Sequence, residues 1–465
     1  MRITLILAAS KDDPLRKNEP FMPLSLPLIA ASAPDHDYTL VDMLSGEEPR
    51  YDESADLVGI SARATSERTA YAIADEYRRR GIPVVLGGAQ VSAVPQRAKE
   101  HADAVVVGEG EPLWPILLDH FQAGGMRDFY VCSPSPFDPS GGTLHQVEAF
   151  ADLDETPVAA RHLFTKKKYV FDTVFAARGC NVNCSFCSVP AMFGQKTRLR
   201  PVADVVTEIA RFEGMYYLLD DTVFGRPSAY DYYLELYEAI AALGPTKLWT
   251  GQANLDAAAD GKGREVIAKA ARAGLVYAAI GMESVDPRVL KASGALRKMG
   301  VRDPAEAIAR MKEHIAFIQE QGILISGWFV VGYDDDTVDS WYRALEFCEE
   351  TNVIPVISPL EALEGTPLWD ELEAQGRIDP DKPVNIVHPT ITDDELLEAM
   401  RVTNKRAFTI GRCLARTRFM GPHFSRLVAT LPRPERPRGK IERTIFTYVL
   451  QRKLRKGVIG LQNSY

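Results

Sequence analysis

Three cysteines fall within eight positions of the chain, in Arg178-Gly179-Cys180-Asn181-Val182-Asn183-Cys184-Ser185-Phe186-Cys187. Thiolates are the ligands of iron–sulfur clusters. The spacing C-x3-C-x2-C lets one loop wrap three of them around three irons and leaves a fourth iron open to chelate a ligand, which a four-cysteine electron-transfer cluster cannot do. A zinc site would want a fourth Cys or His close by. The nearest such residues, Cys132 and His162, are distant in sequence, and Cys348 and Cys413 are isolated too. Six cysteines in 465 residues are too sparse for a disulfide framework, so the crowding of three suggests a metal site in a reducing compartment.

With Phe186 just before its last cysteine, the triplet resembles the radical S-adenosylmethionine (SAM) superfamily. The resemblance implies one 4Fe-4S cluster on Cys180, Cys184 and Cys187, following the first strand of a barrel. The free iron would hold the amino and carboxylate groups of SAM. One electron, from an external donor of the flavodoxin or ferredoxin type, would cleave SAM to methionine and a 5'-deoxyadenosyl radical. The protein's part is to position the cofactor and exclude competing reactions. Asp220 and Asp221, ending the second barrel strand, stand where members of the family offer acceptors to the SAM ammonium; two adjacent acids there also suit a helix cap. Glu283, closing the fourth strand, looks like the family's polar contact to SAM ribose or methionine, and a structural salt bridge is its competing account. Gly327-Trp328-Phe329-Val330-Val331-Gly332 resembles the fifth-strand segment whose backbone passes adenine, with Phe329 and Gly332 as its contacts. Ser358-Pro359-Leu360 and Gly365-Thr366-Pro367-Leu368 resemble the end of the sixth strand, where ordinary turn chemistry serves equally well.

Upstream, Val58-Gly59-Ile60-Ser61, Leu86-Gly87-Gly88-Ala89-Gln90 and Val106-Val107-Gly108-Glu109-Gly110 end successive apolar strands, where glycines let backbone approach a bulky ligand. This arrangement resembles the cobalamin-binding domain that precedes the barrel in one large radical SAM class, with Ser61, Gly87, Gly88, Gln90, Gly108, Glu109 and Gly110 as candidate cofactor contacts. The D-x-H-x-x-G signature is absent, and none of His36, His101 or His120 stands in that context. The resemblance therefore implies cobalamin with no protein histidine on cobalt. Arg63 is the candidate cover for the lower cobalt face, an exposed loop arginine being the plainer account.

Together these features make the chain, by resemblance, a cobalamin-dependent radical SAM methyltransferase of an unactivated carbon in a small-molecule substrate. Non-methylating cyclisation, rearrangement or oxidation with the same cofactors is the alternative, and polar methyl transfer without a substrate radical is a second.

The elements that must position these residues follow from hydrophobic periodicity. Strands are expected at Ile3-Ala8, Tyr38-Val41, Leu57-Ser61, Val84-Gly88 and Ala104-Gly108, with helices at Ser66 to Arg80 and Pro95 to His101: an α/β, Rossmann-like domain over residues 1–125. Residues 126–165, rich in Ser-Pro and Asp-Pro, read as a linker. Strands at Val174-Ala177, Tyr216-Leu219, Lys247-Gln252, Tyr277-Gly281, Leu324-Val331 and Val356-Leu360 make a partial (β/α)6 barrel of the TIM type over 166–375, and 376–465 reads as helical.

The net charge of −9 argues against a nucleic-acid partner. From Arg401 to Tyr465, however, 16 Lys and Arg face only Glu435 and Glu442, about +14, which leaves about −23 for the remainder. Ile441, Ile445, Tyr448 and Val449 share one helical face among these cations. That pattern suits a helix docked on the acidic remainder of the chain, or an interfacial helix on anionic lipid and with it a lipid, isoprenoid or tetrapyrrole substrate. No run reaches the ~18 apolar residues of a bilayer span, and Met1 to Ala9 lacks the marks of a signal peptide, so the cytoplasm is expected.

Overall fold

Short apolar runs rich in β-branched residues form β1 (Arg2–Leu7), β2 (Asp37–Asp42), β3 (Leu57–Ser61), β4 (Val84–Gly87), β5 (Ala104–Gly108), β6 (Phe129–Cys132) and β7 (Leu144–Val147). In this computed structural model, which describes residues 1–416 apart from 14, 15, 17, 18, 52, 53, 165–168, 246 and 383, these strands pair in parallel in the order β2-β1-β3-β4-β5-β6-β7. Successive residues of β3 and β4 are buried, so both faces of the sheet are covered. The helix Glu67–Arg79 supplies part of that cover. It buries Ala70, Tyr71, Ile73, Ala74 and Tyr77 at helical spacing and turns its arginines to solvent.

β6 and β7 correct the reading of residues 126–165 as a linker. Phe129, Tyr130, Val131 and Cys132 are all buried beside β5, β7 extends the edge, and the proline-rich stretch between them is only their connection. Two four-residue strands, one of them Leu144-His145-Gln146-Val147, carry too little periodicity to stand out.

The second series comprises β8 (Asp172–Val174), β9 (Ala177–Arg178), β10 (Arg198–Leu199), β11 (Tyr216–Leu218), β12 (Trp249–Ala253), β13 (Leu275–Glu283), β14 (Leu324–Val331) and β15 (Ile354–Pro359). Six of these pair in parallel in the order β15-β14-β13-β12-β11-β8, and no pairing among the described residues joins β15 back to β8: a partial (β/α)6 barrel. β9 and β10 form a small antiparallel ribbon, so the single strand expected at Val174-Ala177 is two. Helices outside the strands bury one stripe each, as Ala307–Glu320 does with Ala307, Met311, His314, Ile315 and Ile318.

The open edge of the barrel is covered by the N-terminal part of the chain. Phe21 bridges in parallel to Phe171, Phe171 N donates to Pro20 O at 3.0 Å and Met22 N to Phe171 O at 3.1 Å. The Phe21 ring stacks 5.1 Å from that of Phe171 and 4.6 Å from that of Tyr217. After the barrel, Thr392 and Glu395 form a capping box that starts the helix Asp393–Ala407. The basic segment with the helix expected at 441–456 lies outside the described residues.

Candidate cofactor site between the two sheets

The cysteine loop leaves β9 and is pinned by its backbone. Cys180 N donates to Gly194 O at 3.2 Å, Ser185 N to Ser293 O at 3.3 Å and Cys187 N to Cys184 O at 3.2 Å. Cys184 is buried, while Cys180 and Cys187 are half-buried. Burial pushes the Cys184 thiol up to about 11 and moves Cys187 the same way. Such sulfurs ionise only against strong positive charge, which a metal core supplies. Among the described residues no three His, Cys, Asp or Glu side chains converge on one point. A four-iron cluster asks less, since each thiolate binds its own iron.

Around the loop, the predicted acids divide. Asp220 is fully buried and accepts from Ala176 N at 2.7 Å, Ala177 N at 3.0 Å and the Tyr233 hydroxyl at 2.8 Å, so both oxygens serve the fold. Burial pushes its carboxyl up to about 7. Asp221 accepts from Gly179 N at 3.0 Å through one oxygen, and burial raises its carboxyl to about 6. Glu283 sits at a positive φ of 59° at the end of β13, 2.6 Å from Lys298 Nζ, which is the salt-bridge account of this residue. Phe186 lies under that ammonium at 5.7 Å and edge-on to Tyr333 at 6.5 Å. Gly332 N donates to Asp336 Oδ2 at 3.0 Å where the chain turns after β14.

The Phe329 side chain is 1% exposed and packed against Phe347 in the core, so what this residue can offer a ligand is its backbone, as expected of a segment that passes adenine by its main chain. Its neighbour Trp328, on the other face of β14, is 38% exposed. Trp328 Nε1 and the Tyr277 hydroxyl both reach Ser326 Oγ, at 3.0 and 2.7 Å. Helices pack the opposite face, so this one lines the barrel interior. Just beyond β11 and β12, Thr222 Oγ1, Arg226 Nε and Nη2, and Asn254 Nδ2 are buried with no hydrogen-bond partner among the described residues. Buried polar atoms are rarely left so, and these fit a polar ligand such as SAM, or ordered water.

In the N-terminal sheet, β1 and β3 diverge to opposite neighbours, and the crevice at such a switch point is where open α/β sheets bind ligands. Arg63 stands there, 2.8 Å from Asp13, with its Nε buried and without a partner among the described residues. That orphaned donor, in a crevice edged by Ser61 and Gly87, fits a ligand rich in amide groups. Gly88 and Gly108 have φ of 101° and 80°, and a Cβ at either would run into protein backbone, at Ala62 and Cys132 respectively. Their need for glycine thus comes from the fold itself. A Cβ on Gly110 would meet Ile29 at 2.7 Å.

Glu109 is a further correction. Its side chain is fully buried between Arg178 at 2.7 Å and Arg198 at 2.9 Å, and it accepts from Ala151 N at 2.9 Å, so it joins β5 to the start of the cysteine loop and is not free for a ligand. Glu111 adds a second bond to Arg178 at 2.6 Å. Gln90 is likewise engaged: its Nε2 donates to Glu67 at 3.1 Å and Glu364 at 2.6 Å, and Arg97 bridges the same two acids. Two clamps, one at the β4 end and one at the β5 end, therefore hold the C-terminal ends of both sheets face to face. Sequence reasoning missed Arg178, Arg198, Arg97 and Glu364. It missed Lys298 too.

Residues 174–346 match the radical SAM superfamily, and residues 21–118 match the B12 binding domain. The chain is a cobalamin-binding radical SAM enzyme. A 4Fe-4S cluster, SAM and cobalamin are the cofactors of this radical SAM enzyme. It is 27% identical over 366 residues to bacteriochlorophyllide d C-12(1)-methyltransferase of Chlorobaculum tepidum, covering 77% of this chain and 75% of that one. It is 27% identical over 304 residues to hopanoid C-2 methylase of Rhodopseudomonas palustris, covering 64% and 53%. Among solved structures, the cobalamin-dependent SAM radical enzyme OxsB with aqua-cobalamin and SAM bound superposes with a TM-score of 0.68 at 15% identity, over 98% of this chain and 71% of OxsB. That likeness shows the fold.

Proposed function

We propose that this radical SAM enzyme is a cobalamin-dependent C-methyltransferase acting on an unactivated carbon of an apolar small molecule. The carrying observation is the pair of clamps, Arg178 and Arg198 on Glu109 and Arg97 on Glu364, which turns the cysteine loop and the β1/β3 crevice toward one space. An apolar substrate is supported by Trp328, Tyr217 and Tyr277 on the inner face of the barrel and by relatives named for bacteriochlorophyllide and hopanoid substrates.

Bound there, the cluster and SAM supply the radical that takes hydrogen from carbon, and cobalamin supplies the methyl group. Cys180, Cys184 and Cys187 hold the cluster. Asp221, with Thr222 and Asn254, binds the amino-acid and ribose parts of SAM; Phe186 and Gly332 bound that pocket, and Asp220 holds the first barrel turn in place. Ser61, Gly87, Gly88, Gly108 and Gly110 would form the crevice for cobalamin, Gln90 steadies it through Glu67 and Glu364, and the Arg63 guanidinium would disfavour a further ligand on the cofactor's metal.

We divide the chain into a cobalamin unit through β7, a barrel from β8 to β15 and a helical C-terminal region. The electron donor in this reading is of the flavodoxin or ferredoxin type and the enzyme works in the cytoplasm. No helix among the described residues is long and apolar enough to cross a membrane. The basic C-terminal segment serves either to pack on the acidic remainder of the chain or to contact anionic lipid peripherally, and liposome flotation of the full chain against a truncation near Pro432 separates the two.

The function itself is tested by anaerobic reconstitution with iron, sulfide and hydroxocobalamin, then mass spectrometry of the product. Methylation adds about 14 daltons carrying label from methyl-labelled SAM. An unlabelled product favours a second reading, cyclisation or oxidation, which is supported by 25% identity over 384 residues to the anaerobic magnesium-protoporphyrin IX monomethyl ester cyclase of Cereibacter sphaeroides.

A further inference from the structure

An ion pair is buried against the cysteine loop. Lys298 Nζ lies 2.6 Å from Glu283 Oε1, the two side chains being 15% and 5% exposed. The same ammonium stands 5.7 Å from the centre of the Phe186 ring, inside the loop itself. The loop in turn rests on the segment that carries the lysine, through Ser185 N donating to Ser293 O at 3.3 Å.

Both charges are thereby fixed beside the loop that carries the three sulfurs, with the ammonium against the loop's own Phe186 and the carboxylate held on that ammonium.

We propose that Lys298 and Glu283, two opposite charges fixed beside the cysteine loop, set the reduction potential of the cluster on Cys180, Cys184 and Cys187, with Lys298 favouring the reduced state and Glu283 opposing it. This rests on the reading of the loop as the cluster site. The potential of an iron–sulfur cluster follows its net charge, hydrogen bonding and burial. Uptake of one electron from an external low-potential donor adds one negative charge to the cluster and breaks no bond in the protein. A fixed cation nearby, away from bulk water, lowers the free energy of that step, and a fixed anion raises it.

A purely structural salt bridge would act otherwise, since losing either partner would loosen the loop in the same way. The test is a redox titration of the reconstituted, SAM-free full chain with dithionite, monitored by electron paramagnetic resonance. It compares wild type with Lys298→Met, Glu283→Gln, Lys298→Arg and the double variant Lys298→Met/Glu283→Gln. The expected result for Lys298→Met is a roughly tenfold smaller equilibrium constant for one-electron reduction, a shift of about 59 mV to more negative potential. Glu283→Gln moves the other way, Lys298→Arg stays near wild type, and the double variant lies between the two single ones. Shifts of the same sign in both single variants, or no shift, overturn the proposal. Where Lys298→Met takes up no cluster, the signs of Glu283→Gln and the double variant decide. A wild type that binds no cluster overturns the underlying reading, an outcome distinct from unmoved potentials in loaded protein.

Discussion

Cysteine, aspartate and arginine side chains divide the work at this site by what each is already bonded to. Among the described residues the three cysteines of the loop form no disulfide, so Cys180→Ala, Cys184→Ala or Cys187→Ala should each abolish iron–sulfur absorbance and SAM cleavage. Cobalamin, held by the other sheet, should still bind, and its visible spectrum after desalting checks this; simultaneous loss of both cofactors would contradict the two-cofactor arrangement. Asp220 is the opposite case. Its carboxyl is raised from an ordinary 3.8 to about 7, chiefly by burial. Between those pH values the folded chain keeps a proton that the unfolded chain has released, so this group's contribution to stability is greatest at low pH and falls as pH rises to 7. The loss amounts to at most about 4 kcal/mol. Asp220→Asn keeps an oxygen for Ala176 N and Ala177 N without titrating. Urea midpoints at pH 5 and pH 8 should therefore differ less in the variant than in wild type, and an equal difference would rule this out.

At the scale of strands and loops, the β5 end and the β9 ribbon act as one unit because Glu109 ties them together. Glu109→Gln removes a fully buried carboxylate and leaves two half-buried arginines without their full counter-charge, a change that typically costs about 3–5 kcal/mol when a buried pair is broken. A matching drop in the denaturation midpoint, with weakened cobalamin retention, is the expected outcome; an unchanged midpoint would show that the arginines find other acceptors. These relations also explain what could be read in advance. The cysteine loop was legible because residue type and spacing alone define it, and most strands because each is a short apolar run. Phe329 and Trp328 were not sorted, since the apolar stretch Trp328-Phe329-Val330-Val331 gives no sign of which residue faces the lumen. The partners of Glu109 lie 69 and 89 positions away, separations at which sequence pattern is silent. Lys298 sits 15 positions from Glu283, outside any helical or strand period. The β6 and β7 strands were lost in proline-rich surroundings.

Across the molecule, the clamp at the β4 end differs in kind from the one at β5. Arg97 and Glu364 are 44% and 18% exposed in their side chains, so their ion pair is largely screened. Glu364→Ala should cost only about 0–1 kcal/mol. Its effect should shrink further in high salt, while that of Glu109→Gln should persist; thermal unfolding at two ionic strengths separates the two. Each clamp joins units that pack their own apolar cores, and together with the small apolar cluster of Met22, Leu24, Leu28, Leu153 and Phe175 they fix the spacing between the cofactor faces.

The short pairing of Pro20, Phe21 and Met22 with Phe171, just ahead of β8, has a bearing on how this architecture can be taken apart. A parallel edge with free backbone donors and acceptors invites another chain to join it. Here the cover is lent by the cobalamin unit, from the connection that follows its first strand. The two units are thus not exchangeable cassettes, whatever their separate cores suggest. A barrel produced from residue 169 onward would carry a bare β8 edge and should self-associate on light scattering, and a synthetic peptide spanning residues 19–24 should suppress that association. Grafting a different cobalamin module onto this barrel would require carrying these few residues with it.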